Sequence, residues 1–109
     1  MNIDFHSPQG EVHSWILKYV RDQLIELHHL DKKISKAAVA FRHQEIEPGM
    51  NKVCDISLTI LNESFFVSRN ASSFEKASRS VTHALKEVVI EHLRLQNEPP
   101  DLITSTVKV

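Results

Sequence analysis

The chain opens on a short β-compatible stretch, residues 2–6. Ser7-Pro8-Gln9-Gly10 then halts it, because proline withholds a ladder donor and glycine favours a turn. At 100° per residue the following positions resolve into a stripe. Val12, Ile16, Tyr19, Val20, Leu24, Leu27 and Leu30 share one side, while Lys18, Arg21, Asp22 and Ile25 face away. That spacing predicts an amphipathic helix over roughly 11–29. After the charged connection Asp31-Lys32-Lys33 the period changes to two, with Val39 and Phe41 opposite Arg42 and Gln44, which predicts a strand over 36–46. Glu47-Pro48-Gly49-Met50-Asn51 reads as a turn. Beyond it Cys54, Ile56, Leu58 and Ile60 alternate with Val53, Asp55, Ser57 and Thr59, a strand with one wet face. Asn62-Glu63 serves as a short hairpin turn into a fourth strand, 64–69.

Ser72 or Ser73 supplies a helix cap, since a side-chain oxygen there accepts from the orphan amides of the first turn; Ser72 with Glu75 has the spacing of a capping box. A second stripe follows, Phe74, Ala77, Val81, Ala84, Leu85, Val88, His92 and Leu95, and predicts a helix to about residue 96. The element order is therefore β-α-β-β-β-α. It reads as an α+β domain with a four-stranded mixed sheet and two helices packed on one face: the first crossover gives a parallel pair, and the next three strands form an antiparallel meander. Residues 1–97 make one such domain. Asn97-Glu98-Pro99-Pro100-Asp101 breaks the pattern, leaving 98–109 as a C-terminal tail in which Ile103, Ser105, Val107 and Val109 alternate with Thr104, Thr106 and Lys108, as in an edge strand.

Composition narrows the class. A chain of 109 residues that is 41% hydrophobic and 25% charged, with only 2 Gly and 4 Pro, is one globular core and not a low-complexity segment. Thirteen Lys+Arg against 14 Asp+Glu give a formal charge of -1, so any nucleic-acid affinity must come from a local patch. Cys54 is the single cysteine, which fits a reducing compartment. The expected location is cytoplasmic, with no membrane partner, because no stretch approaches the ~20 apolar residues that span a bilayer.

Two basic patches emerge. The outward side of the second helix presents Lys76, Arg79, His83, Lys86 and Arg94 against Glu75 and Glu87. Between residues 18 and 42 stand Lys18, Arg21, Lys32, Lys33, Lys36 and Arg42, against Asp22, Glu26 and Asp31. No aromatic residue is presented for base stacking, so contact with backbone and shape is favoured over reading of bases. Seven histidines raise the question of a metal, but His28-His29 point ~100° apart on a helix and no ligand set accompanies them; no metal and no cofactor is expected. His92 falls on the buried stripe, and Cys54 lies among Ile56 and Leu58 as a small buried hydrophobe. With no nucleophile-base motif and no glycine-rich phosphate loop, an enzyme is not expected, and no catalytic residue is assigned.

The element order and lengths, with Asn2-Ile3 opening the first strand, Glu11-Val12 followed by Ile16, Tyr19 and Val20, and Ser73-Phe74-Glu75-Lys76-Ala77 opening the second helix, resemble the ribosome hibernation-promoting factor and ribosome-associated inhibitor (protein Y) family in its short form. The resemblance covers residues 1 to about 96. It implies a non-enzymatic cytoplasmic factor that binds small-subunit rRNA, occupies the mRNA/tRNA site and blocks translation under stress. The RNA-binding residues are then expected to be Lys32, Lys33, Lys76, Arg79 and Lys86. The late turns of the second helix depart from the family's Lys- and Arg-rich pattern, carrying Glu87, Val88, Val89, Ile90, Glu91 and His92. That departure favours an alternative, a protein-interaction or dimerisation module with weakened rRNA binding. It would act as a homo-oligomer through Val89, Ile90 and Leu93 or through the tail, with Leu17 and Ile25 comparably displaced from the core stripe of the first helix.

Overall fold

A computed structural model of the chain describes residues 1–7, 12–44 and 52–97. The elements follow the expected order: β1 (Asn2–His6), α1 (Ser14–Leu30), β2 (Ile34–His43), β3 (Lys52–Ile60), β4 (Glu63–Ala71) and α2 (Phe74–Asn97). The strands form one sheet in the order β1-β2-β3-β4, with β1 parallel to β2 and the two later pairs antiparallel. The mixed four-stranded α+β fold expected from the alternation is the one observed.

Register explains the core. Val39 lies opposite Ile56, which lies opposite Val67, and Ala37, Leu58 and Phe65 make the adjoining row. Ile16, Val20, Leu24 and Leu27 of α1 and Phe74, Ala77, Val81, Leu85 and Val89 of α2 close over these rows from one face. Phe41 meets Phe74 edge-on at 5.6 Å, a favoured arrangement of ring quadrupoles at one end of the sheet. Three contacts run in matched order along the helices: Tyr19 to Thr82, Asp31 to His92 and Lys33 to Gln96. The two helices therefore point the same way.

Several details differ from the sequence expectation. β2 begins at Ile34, two residues early, because a bulge between Ile34 and Lys36 re-phases the strand; Ile34 and Ala37, an odd number apart, then both face the core. The strand ends at His43, and residues 45–46 lie outside the described residues. α1 starts at Ser14 after His13, and Val12 packs against the core from just ahead of the helix. Leu30 is 51% exposed, not buried, since it sits on the flank of α1 that faces α2 beside Gln23 and Glu26. Val53, assigned to the wet face by alternation, is buried outside the main core cluster. The cap of α2 is Ser73, whose Oγ accepts from the Lys76 amide at 3.2 Å; the Ser72–Glu75 box does not form. On α2, Val89 is fully buried and Leu95 is 56% exposed. The buried sector is thus turned toward α1 relative to the predicted stripe, and the proposed Val89-Ile90-Leu93 interaction surface is broken at its first residue. Leu17 likewise packs against the core, while Ile25 and Ile90 stand exposed singly.

The β3–β4 turn is Leu61-Asn62, one residue earlier than expected, with Glu63 already paired to Ile60. Leu61 has φ 57°, the left-handed region in which a Cβ crowds the backbone, and its side chain is exposed. Leu61→Gly should therefore stabilise the protein by about 0.5–1 kcal/mol, the relief outweighing the added freedom of the unfolded chain. A rise in the urea midpoint is the expected reading, and a fall would show that Leu61 contributes packing that outweighs its strain.

Candidate nucleic-acid interface

Of the basic residues singled out from the sequence for RNA contact, Lys76, Arg79 and Lys86 lie on α2, and Lys32 and Lys33 lie in the turn between α1 and β2. Between α1 and α2 lies a cleft of about 550 Å³, lined by Tyr19 and Gln23 on one side and Arg79, Thr82, His83 and Lys86 on the other. Its floor is polar by construction. The Tyr19 hydroxyl meets Thr82 Oγ1 at 3.4 Å, and the buried Thr82 hydroxyl also lies 2.8 Å from the Ser78 carbonyl oxygen, to which it donates. A threonine that satisfies itself on its own helix can be buried where an apolar residue would otherwise sit. The neighbouring smaller pocket, about 200 Å³, is lined by Gln23, Glu26, Leu27, Leu30, Thr82 and Lys86, so Lys86 borders both cavities.

Arg79 and Lys86 are brought together on this lip, two turns apart on α2, or ~10 Å by helical rise. The Arg79 guanidinium lies 5.8 Å from the centre of the Tyr19 ring and reaches Glu75 at 3.4 Å. Both Arg79 and Glu75 side chains are largely in water, so the pair leaves Arg79 available. Lys76, one turn before Arg79, is exposed but does not line the cleft. Lys32 and Lys33 lie at the far end of the helix pair. Among the described residues, Lys32, Lys76 and Lys86 form no ion pair with a carboxylate, which leaves their charges uncompensated.

The turn that carries Lys32 and Lys33 is organised by Asp31, which charge alone assigned to solvent and which is instead 3% exposed. Its Oδ1 accepts from the Lys33 amide at 3.0 Å, its amide donates to the Leu27 carbonyl, and its carbonyl accepts from Ile34. Asp31 Oδ2 faces His92 Nδ1 at 3.9 Å, and the buried His92 ring sits against Phe65 at 5.2 Å. Lys33 Nζ donates to Gln96 Oε1 at 3.1 Å, tying the turn to the last turn of α2. Periodicity places His92 on the buried stripe, but it gives no sign that Asp31, 61 positions away, is its neighbour.

Other polar and charged side chains are also paired. Arg94 binds Glu91 twice, at 2.6 and 3.1 Å, and these hydrogen bonds hold the Glu91 carboxyl below its ordinary value. Lys18 pairs with Asp22 on α1, and His83 with Glu87 on α2. On the far face of the sheet Arg42 reaches Asp55 at 2.6 Å, and Ser68 donates to the same carboxylate. Among the described residues no three His, Cys, Asp or Glu side chains converge as a metal site, and no helix is long and apolar enough to cross a membrane.

Cys54 is buried, and desolvation, followed by the neighbouring Asp55 carboxylate, pushes its thiol up to about 12. In the unfolded chain the thiol ionises from about 8.5. The folded state holds the proton across that interval, so stability falls as pH rises from about 8.5 towards 12, by up to ~1.4 kcal/mol per pH unit from this group. Cys54→Ala should flatten that part of the profile in denaturant titrations at pH 8 and 10. An equal slope in both proteins would mean that the thiol is not the group responsible.

No family model matches the chain, and no curated protein sequence matches it. Solved structures do. A ribosomal subunit interface protein from Coxiella burnetii superposes with a TM-score of 0.71 at 13% identity, over 86% of this chain and 99% of that one. The N-terminal domain of Thermus thermophilus Protein Y superposes at 0.66 with 19% identity, over 82% of this chain and 96% of that one. The β-α-β-β-β-α arrangement implied by the hibernation-factor resemblance is therefore the fold this chain has, shared with the Coxiella subunit interface protein and with the Protein Y domain.

Proposed function

We propose that this protein is a cytoplasmic, non-enzymatic ribosome-associated factor that binds the small subunit through rRNA phosphates and blocks translation under stress by occupying the mRNA/tRNA site. The observation that carries the reading is the pairing of this fold with Arg79 and Lys86 at the lip of the inter-helix cleft. Lys32 and Lys33 extend the basic track to the other end of the helix layer, and Lys76 adds a charge on the outward side of α2. Phosphate contacts of this kind set position and orientation without reading sequence, which suits a factor that acts by steric occupation. The polar cleft floor and the half-buried Tyr19 ring give shape to the surface. Glu91 neutralises Arg94, so late α2 contributes less positive potential than its first three turns.

Occupation of the mRNA/tRNA site makes inhibition competitive. Added to a reconstituted translation reaction, the protein should lower peptide output, and excess mRNA with initiator tRNA, supplied before the protein, should restore it. Inhibition that no excess relieves would place the block elsewhere.

A further inference from the structure

α2 carries more apolar surface than the four strands beneath it use. Ala84 and Val88 are only half-buried and Leu95 is exposed, although all three lie within the predicted apolar stripe. They overhang the outer edge of β4, where with Phe65 and Val67 they wall a groove of about 630 Å³. Among the described residues β4 is the outermost strand of the sheet, and no further strand lies beyond it. With Glu63, Arg69, Glu87 and Glu91 also in its lining, this partly apolar groove between a helix and an open strand edge is a seat for one more strand.

The topology says where that strand comes from. β1 and β2 are parallel with α1 crossing between them, and two antiparallel steps return β4 to the same direction. α2 lies on the same face as α1 and ends beside the start of β4, since His92 contacts Phe65. A strand laid parallel on the free edge of β4 after α2 thus repeats the β1-α1-β2 crossover with the same hand, the right-handed one that such units adopt. The sequence after α2 has the matching features. Pro99-Pro100 prevents further helix, and Ile103, Ser105, Val107 and Val109 then alternate with Thr104, Thr106 and Lys108.

We infer that residues 103–109 add to the free edge of β4 as a fifth strand parallel to it, turning Ile103, Ser105, Val107 and Val109 towards the groove under α2. Seven residues reach ~23 Å, within the ~30 Å of the nine-residue β4. The five residues 98–102 span up to ~17 Å, enough to descend from a helix to a sheet packed ~10 Å below. This chain's own tail is favoured over a second copy because tethering gives it a local concentration on the order of millimolar.

Amide hydrogen exchange on the full chain, at two protein concentrations tenfold apart, tests this. Amides of 103–109 should exchange at least ten times more slowly than in an unstructured peptide, equally at both concentrations. Val107→Pro should return them to the unstructured rate and accelerate the outward-facing β4 amides at least tenfold while β2 and β3 stay unchanged. Ile103→Asp should weaken the same protection without removing a backbone donor. Unstructured rates for 103–109 in the parent chain, or protection that appears only at the higher concentration together with a dimer in sedimentation, would overturn the inference.

Discussion

Replacing Arg79 and Lys86 together by glutamate is expected to weaken binding to small ribosomal subunits by about 100-fold or more at low salt. The two side chains stand on one lip of one cleft, so the double variant changes the local charge by four units where phosphates would approach. Neither change should disturb the fold. Arg79 loses an exposed contact with Glu75 and a surface contact with the Tyr19 ring, each of a kind worth about 1 kcal/mol or less, and Lys86 has no carboxylate partner among the described residues. Lys76→Glu alone should cost far less, because Lys76 stands apart from the cleft. Equal losses from Lys76→Glu and from the double variant, each with unchanged circular dichroism, would mean that only net charge matters and the cleft has no special role.

The second large effect concerns the scaffold. Leu24→Ala should destabilise the protein by about 3–5 kcal/mol, since Leu24 is fully buried beneath α1 and truncation leaves a cavity as well as lost transfer energy. Against the ~5–15 kcal/mol typical of a domain, that is a large share of the whole. Leu30→Ala, in the same helix and the same predicted stripe, should cost less than about 1 kcal/mol because half its surface is already wet. Urea titration of both variants reads the difference directly. Comparable losses would show that the last turn of α1 is packed far more tightly than its exposure indicates.

Leu24 and Leu30 also mark where sequence periodicity succeeds and where it stops. Element order and the inward rows of β2 and β3 were legible because a period of two leaves little choice once one face is buried, as Val39 opposite Ile56 illustrates. Ile34 escaped because a bulge broke that period. Val89 escaped because a helix stripe has soft edges, and the neighbour packed against its flank, α1, decides which edge is covered. The basic residues of α2 were legible as a strip, but not the division that puts Arg79 and Lys86 on a cleft and leaves Lys76 apart. That division depends on where α1 lies. Asp31, the organiser of the Lys32-Lys33 turn, was hidden for a different reason: a carboxylate is buried only when the fold supplies donors, here the Lys33 amide, and those are not encoded in hydrophobicity.

Co-sedimentation of the purified protein with isolated small and large ribosomal subunits across a salt series tests the central claim most directly. Four or five phosphate contacts predict binding to the small subunit that weakens with a log-log slope of about −3, with little retention on the large subunit. No binding to the small subunit at the lowest salt, or binding indifferent to salt, would contradict the account.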